Sequence, residues 1–282
     1  FGADNDMGQA WELMRRQQAS ADAIGLGEIG DHWHVGQNTM INKETRRLLN
    51  VVTRVPATTG ATLRRLLQVR AIRHVQNHLG NYFNNNLVLF LSGMRNYHMA
   101  QAMADYTPNL SFADALAQTG TPKLLTSLAQ LELYAKGTEV VLPGKTREML
   151  ESMLTGFKNN LIASAVAKSH VIVGTFHELK EVGTPSNLAG KTLITSAVDD
   201  DRLAFFKQCN VNLVIDVSPQ LFERVVGVNV IEAMILAAIG KPHEEVSDDD
   251  FAEIIDELDI KPRLLHPTGR FRNIRRFAFV IH

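Results

Sequence analysis

The chain has 282 residues, 45% of them hydrophobic and 21% charged, and 29 Lys+Arg against 30 Asp+Glu give a formal net charge of −1. This is the composition of an ordinary globular protein, long enough for one large domain or two closely packed ones, and its near-neutral charge gives no general drive toward nucleic acid or anionic membrane. The single cysteine, Cys209, excludes an internal disulfide and fits a reducing, cytoplasmic setting, and no apolar run reaches the roughly 18 residues that a membrane span needs.

Taken in chain order, Asp4 or Asn5 caps a first helix over Met7–Arg16. A short strand follows at Ala21–Gly25, and Asp31–Ile41 alternates weakly, as a hairpin does. Between them lies Gly25-Leu-Gly27-Glu-Ile-Gly30, which has the spacing of a dinucleotide fingerprint. That fingerprint needs a helix directly after it, so that backbone amides meet the pyrophosphate. Asp31-His-Trp-His-Val-Gly36 does not read as one, and a plain glycine turn remains the alternative. Lys43–Val52 reads as a helix and Thr53–Ala57 as a strand. The turn Thr58-Thr59-Gly60 then opens a long helix to about His78, with Arg64 and Arg65 one turn in. A strand-to-helix turn with free N–H groups and hydroxyls is an anion seat; a helix cap would need only one of the threonines. The run Leu87–Leu91 reads as the strongest strand, and Ser92-Gly93-Met94-Arg95 repeats the same arrangement before a helix through about Ala104.

Residues 109–169 carry long helical patterns at Thr121–Tyr134 and Thr146–Ala167, broken by Pro122 and Pro143-Gly144. They predict a helical insertion or lid. The sheet pattern resumes with His170–Phe176, Lys191–Val198 and Asn212–Ser218, each rich in Val, Ile and Leu. Such runs suit strands buried on both faces, and the helical stretch Arg202–Lys207 between the last two implies a parallel crossover. Val225–Ile239 is an apolar helix with Asn229 and Glu232 near its start, where buried polar groups need partners or a ligand. Asp248–Leu258 is an acidic helix that Ser247 suits as N-cap.

The strands predict an α/β fold, a mostly parallel sheet of about five or six strands, with ligands beyond the strand carboxyl ends. The residues expected there are Gly25, Gly27, Gly30, Thr58, Thr59, Gly60, Ser92, Gly93, Thr195 and Asn229 for cofactor binding, and His177 with Lys180 for catalysis. A histidine at a strand end can exchange protons near neutral pH; the alternative is a polar residue leaving the sheet. Glu178 would point away from His177 if the strand continued. The pairs His32/His34 and His74/His78 lack the third ligand and the surrounding pattern that zinc requires, and no metal is expected. The basic segment Lys261–Arg276 holds only Phe271 for stacking, so a linker is expected there in preference to a nucleic-acid surface. The chain opens at Phe1 and closes inside an apparent strand, so a fragment of a longer protein is expected.

The segments GTFHELKEVGTPSNLAGKTLITSAVDDDRL (174–203), VVGVNVIEAMILAAIGKPHEEVSDDDFAEIIDEL (225–258) and DAIGLGEIGD (22–31) together resemble bacterial quinate dehydrogenase-like proteins over most of the chain. The resemblance implies a doubly wound, Rossmann-like fold that binds NAD or NADP. Glu28 stands where that family tends to have Gly and Thr175 where it tends to have Asp, which removes a carboxylate beside His177. RRFAFVIH (275–282) is similar to the opening strand of predicted amino-acid dehydrogenases related to acyl-carrier-protein reductases, implying that a reductase domain follows. The expected layout is a first α/β half at 1–108, the insertion at 109–169, a second half at 170–260, and a linker with the start of a further domain at 261–282. The expected function is an oxidoreductase domain binding a nicotinamide dinucleotide or related anion, with homo-oligomers possible and no nucleic-acid or membrane partner. The alternative is a non-catalytic regulatory or assembly module beside an acyl-thioester reductase-like domain.

Overall fold

The computed structural model describes residues 6–27, 30–141, 160–221, 224–241 and 245–269. Glu28 of the glycine motif, residues 142–159 of the expected insertion, and the arginines and terminal strand from 270 onward lie outside these residues.

The N-terminal elements form a small unit. Helix α1 (Met7–Gln17) starts at Asp6, whose carboxylate accepts from the Gly8 and Gln9 amides, one position later than the expected cap. Strands β1 (Ile24–Gly25) and β4 (Ala57–Thr58) pair in parallel. Between them come the hairpin β2 (His32–Val35) and β3 (Asn38–Ile41), antiparallel as expected, and helix α2 (Lys43–Leu49) capped by Asn42.

Helix α3 (Ala61–His78) leads into the main sheet. Its strands are β5 (Val88–Phe90), β6 (Leu110–Phe112), β7 (Val171–Val173), β8 (Thr192–Thr195), β9 (Leu213–Asp216) and β12 (Arg263–Leu265), while β10 (Gln220–Leu221) and β11 (Arg224–Val225) pair antiparallel outside it. Their order is β12-β9-β8-β7-β5-β6; only β12 runs antiparallel. The chain steps from β5 outward to β6, then returns to the other side of β5 for β7, β8 and β9. The order therefore reverses between β5 and β7.

Side chains of alternate strand residues enter two different cores, because a strand turns successive side chains to opposite faces. Val88, Phe90, Phe112, Val171, Val173, Ile194, Leu213 and Ile215 pack with α3 and with α4 (Tyr97–Ala104). Leu89, Leu91, Ile172, Leu193 and Val214 pack on the opposite face. There they meet α5 (Asp114–Thr119), α7 (Asn160–Lys168), α8 (Phe176–Val182), α9 (Pro185–Leu188) and α10 (Asp200–Gln208). The molecule is thus a mixed α/β structure around a six-stranded, mostly parallel sheet with helices on both faces.

A third core lies among helices, and the small unit reaches the first core through Val35 of the hairpin. Leu63 and Leu67 of α3 meet Ile231, Ile235 and Leu236 of α11 (Val228–Ile239) and Phe251 and Ile255 of α12 (Asp248–Glu257). Helix α3 serves two cores: its first half packs here, and Ile72 and Val75 pack on the sheet.

Three expectations are corrected. The stretch 109–169 is not purely helical: Leu110–Phe112 is the sheet's edge strand, followed by α5. Residues 121–127 are not helical, with Leu125 bridged to Phe112, and helix α6 runs over Leu128–Val141. The strand expected through Phe176 stops at Val173, and Phe176-His177-Glu178 open α8.

Candidate functional site

The carboxyl ends of β5 and β7 meet where the strand order reverses. Ser92-Gly93 follow β5 and Gly174-Thr175 follow β7. Two buried carboxylates close this point. Asp114, at the start of α5, accepts from the Gly93 amide at 2.8 Å and the Met94 amide at 3.0 Å. Glu178 accepts from the Ser92 hydroxyl, from the Thr175 amide at 2.7 Å and from the Thr175 hydroxyl at 3.0 Å, and Thr175 in return caps α8 through the Glu178 amide. A β-carbon added at Gly93 would lie 2.8 Å from Asp114 Oδ2. Burial raises the Asp114 carboxyl to about 6, against the pull of its two amide donors and with a further push from Glu178.

The turn after β4 has the same design. Gly60 has φ +77°, and its Cβ position would lie 2.6 Å from the Asn229 amide nitrogen; that of Gly25 would lie 2.5 Å from the Asn229 carbonyl oxygen. These glycines let the first turn of α11 approach β1 and β4 closely, and Asn229 contributes to that approach through its backbone. Behind it, Glu232 accepts from the Thr58 hydroxyl and from the Leu63 amide at 2.6 Å, and it is 1% exposed. An anion does occupy the N-terminal turn of α3, where the helix dipole and free N–H groups favour one. It is the chain's own carboxylate. Thr59 donates to Asp31 at 2.6 Å, and Asp31 meets His32 Nδ1 at 2.8 Å. Burial pushes the Asp31 carboxyl up, but His32 and Thr59 outweigh it and hold it down at about 2.

The remaining expected residues are spread out. Gly27 lies near the Asn229 side chain, where an added β-carbon would sit 3.6 Å from Nδ2, and Gly30 faces the Trp33 ring. Thr195 ends β8, is buried, and its hydroxyl lacks a hydrogen-bond partner. Beside it Asp216 accepts from the Val198 and Ser218 amides and pairs with Arg263 of β12, so this end of the sheet is tied down. His177 and Lys180 are exposed on the first turns of α8. Their neighbour Glu178, expected to point away, is the buried one. Cys209 caps the end of α10, where burial raises its thiol. His74 and His78 stack 5.4 Å apart on α3. Among the described residues no group of three or more His, Cys, Asp and Glu is placed to hold a metal ion, and no helix is long and apolar enough to cross a membrane.

One cluster brings together residues that the sequence shows only singly. Gln68 of α3 donates to Asn96 at 3.0 Å, and Asn96 donates to the Ser92 carbonyl at 2.9 Å, so the first turns of α3 stand against the start of α4. The hairpin closes over them: His34 lies 4.8 Å from His32 and 6.4 Å from His98, ring centre to ring centre. Arg64, Arg65 and Arg95 complete the group. Arg65 pairs with Asp248, whereas Arg64 donates only to the Thr59 carbonyl, at 3.3 Å. Among the described residues neither Arg64 nor Arg95 has an ion-pair partner. Burial lowers Arg64, and Arg95 lowers it further, against Glu232 and Asp31. Asp114 and His98 escape sequence reading altogether. An acidic residue two positions beyond a strand is the available signal for Asp114; for His98 there is none.

Two family models match consecutive parts of the chain: a domain of unknown function (DUF8753) over residues 1–59 and a domain of unknown function (DUF8754) over residues 62–267. The break between them falls in the turn joining β4 to α3. Neither a curated protein nor a solved structure matches the chain. With most of its length under a single model, the chain belongs to the DUF8754 family.

Proposed function

We propose that the chain is the ligand-binding domain of an oxidoreductase, a doubly wound, Rossmann-like unit that takes NAD, NADP or a related anion at the carboxyl edge of its sheet. The observation that carries this reading is the reversal of strand order between β5 and β7. Crossovers leaving a parallel sheet in opposite directions open a crevice at the reversal, and ligands of open α/β sheets bind there. Ser92-Gly93 and Thr175 flank it, and His177 and Lys180 stand exposed at its rim. His177 is the proton carrier in this reading and Lys180 the adjoining cation. The cytoplasmic setting and a following reductase domain belong to the same proposal.

A second reading has its own support. Asp114, Glu178 and Glu232 occupy the amides and hydroxyls that would receive phosphate. Sites filled by the chain's own carboxylates suit a non-catalytic module that regulates or assembles a neighbouring acyl-thioester reductase-like domain. A thermal-shift titration with NAD, NADH, NADP, NADPH and an acyl-CoA separates the two. A ligand that binds only the folded state raises the melting temperature as its concentration rises. A saturable rise with one nucleotide is the expected outcome of the first reading; no rise with any of them abandons it for the second.

A further inference from the structure

We propose that the surface where the β2–β3 hairpin meets the starts of α3 and α4 binds a phosphate or diphosphate group, held by Arg64 and Arg95 with His34 and His98 beside them. The proposal does not rest on the dinucleotide reading, because the ligand's remainder is left open.

Three different elements converge on this surface. Arg64 and Arg65 come from the first turn of α3, Arg95 and His98 from the β5–α4 segment, and His32 and His34 from the hairpin. The Gln68–Asn96–Ser92 hydrogen-bond chain fixes the two helix starts relative to each other. The His34–His98 ring contact fixes the hairpin over them. Of the acids nearby, Asp31 pairs with His32 and Asp248 with Arg65, Glu132 holds the Tyr97 hydroxyl, and Glu232 holds the Thr58 hydroxyl and the Leu63 amide. Glu232 and Asp31 offset Arg64 only through space, and among the described residues neither Arg64 nor Arg95 has a direct ion pair.

Like charges gathered without a direct ion pair for Arg64 or Arg95 raise the energy of the site. Burial, and then Arg65 and His34, lower the proton affinity of His98, and Gln101 and Asp248 only partly restore it. His98 Nε2 is also buried without a hydrogen-bond partner. An oxyanion answers both facts: it offsets the charge, and by raising the proton affinity of His98 it turns the unpartnered Nε2 into a donor. Guanidinium groups favour phosphate because their planar donors match its oxygens in pairs. Two of them on separate elements favour a ligand with several oxygens over a single carboxylate.

The test is isothermal titration of the full chain with inorganic pyrophosphate, at low and at high salt, on the natural protein and on two variants. Arg95→Gln removes an exposed cation without an ion pair, so the fold is retained. Arg73→Gln removes an exposed arginine farther along α3 and serves as control. Saturable binding is expected, weakening with salt, about tenfold weaker in Arg95→Gln and unchanged in Arg73→Gln. Absence of binding to the natural protein overturns the proposal. So does equal binding by Arg95→Gln, or an equal loss in the control, which would mark a diffuse surface effect. A dinucleotide that binds natural protein and Arg95→Gln alike, while pyrophosphate binds neither, sinks this site and spares the oxidoreductase reading. Pyrophosphate binding with no dinucleotide binding has the reverse meaning.

Discussion

Single residues here are explained by what they exclude as much as by what they bind. Gly25 reads in the sequence as the first glycine of a phosphate loop, but the space beside its α-carbon belongs to the Asn229 carbonyl. Gly25→Ala is expected to destabilise the protein by about 2 kcal/mol, since backbone must move to admit the methyl group; a urea midpoint shift measures it. Glu232 is the counterpart at the far end of the same contact. Glu232→Gln keeps the shape and removes the charge that two donors share, with an expected loss of about 2 kcal/mol; equal stability of the variant in urea would show that the carboxylate is dispensable there. Asp114 supplies a pH signature. Its carboxyl titrates near 6 in the folded chain against a usual 3.8, so the folded state holds the extra proton between those values. Its contribution is therefore complete below about pH 4 and is lost as pH rises through 6, by about 3 kcal/mol in all. Asp114→Asn should flatten that part of the stability–pH curve, and an unchanged slope would place the titration elsewhere.

Elements are legible in proportion to their length and burial. The runs around Val171–Val173, Thr192–Thr195 and Leu213–Asp216 stand out because strands buried on both faces place apolar residues side by side, here Val-Ile-Val, Leu-Ile and Leu-Val-Ile. Strand β6 escapes notice because it is three residues at a sheet edge, with a half-exposed Ser111 in its middle. The start of α8 reads as strand although the signal for a helix is present. Thr175 and Glu178 are three apart and form a reciprocal capping box, the pattern that opens a helix; the preceding Val-Ile-Val run masks it. The same box at Ser247 and Asp250 is easier to see, because no strand run precedes it. There Ser247→Ala is expected to cost about 1 kcal/mol, observable as a lower melting temperature. The ion pairs Arg65–Asp248 and Arg70–Asp256, which tie α12 to α3, are half-exposed and contribute less than the apolar seam of Leu63, Ile235 and Phe251 beneath them.

At the scale of the whole molecule, the reversal of strand order is the feature that a sequence hides most completely. Strand runs can be seen, but nothing local in β5 or β7 records that they are neighbours while β6 lies outside them. For that reason Ser92-Gly93 and Gly174-Thr175 appear in the sequence as two separate strand ends, and only the fold makes them one place. The cationic cluster is hidden for the same reason: its arginines and histidines come from segments about 30 residues apart, joined through the Gln68–Asn96 bond. His32 and His34 read as a pair on one strand face, and the third member, His98, has no sequence pattern at all.

The bond between Thr58 and Glu232 spans 174 positions of chain. At synthesis rates of about 5–20 residues per second, the partner arrives roughly ten to thirty seconds after the threonine. Throughout that interval β1, β4 and the opening turn of α3 have neither their anion nor the helix that packs into their glycines. The boundary at 59–62 that separates two recurrent sequence segments is thus no boundary for folding. A chain released before residue 228 would leave β1 and β4 without the helix they pack on, whereas the hairpin keeps its seat in the sheet core through Val35. Limited proteolysis of such a truncated chain should cut around β1 and β4 and spare β5 to β9.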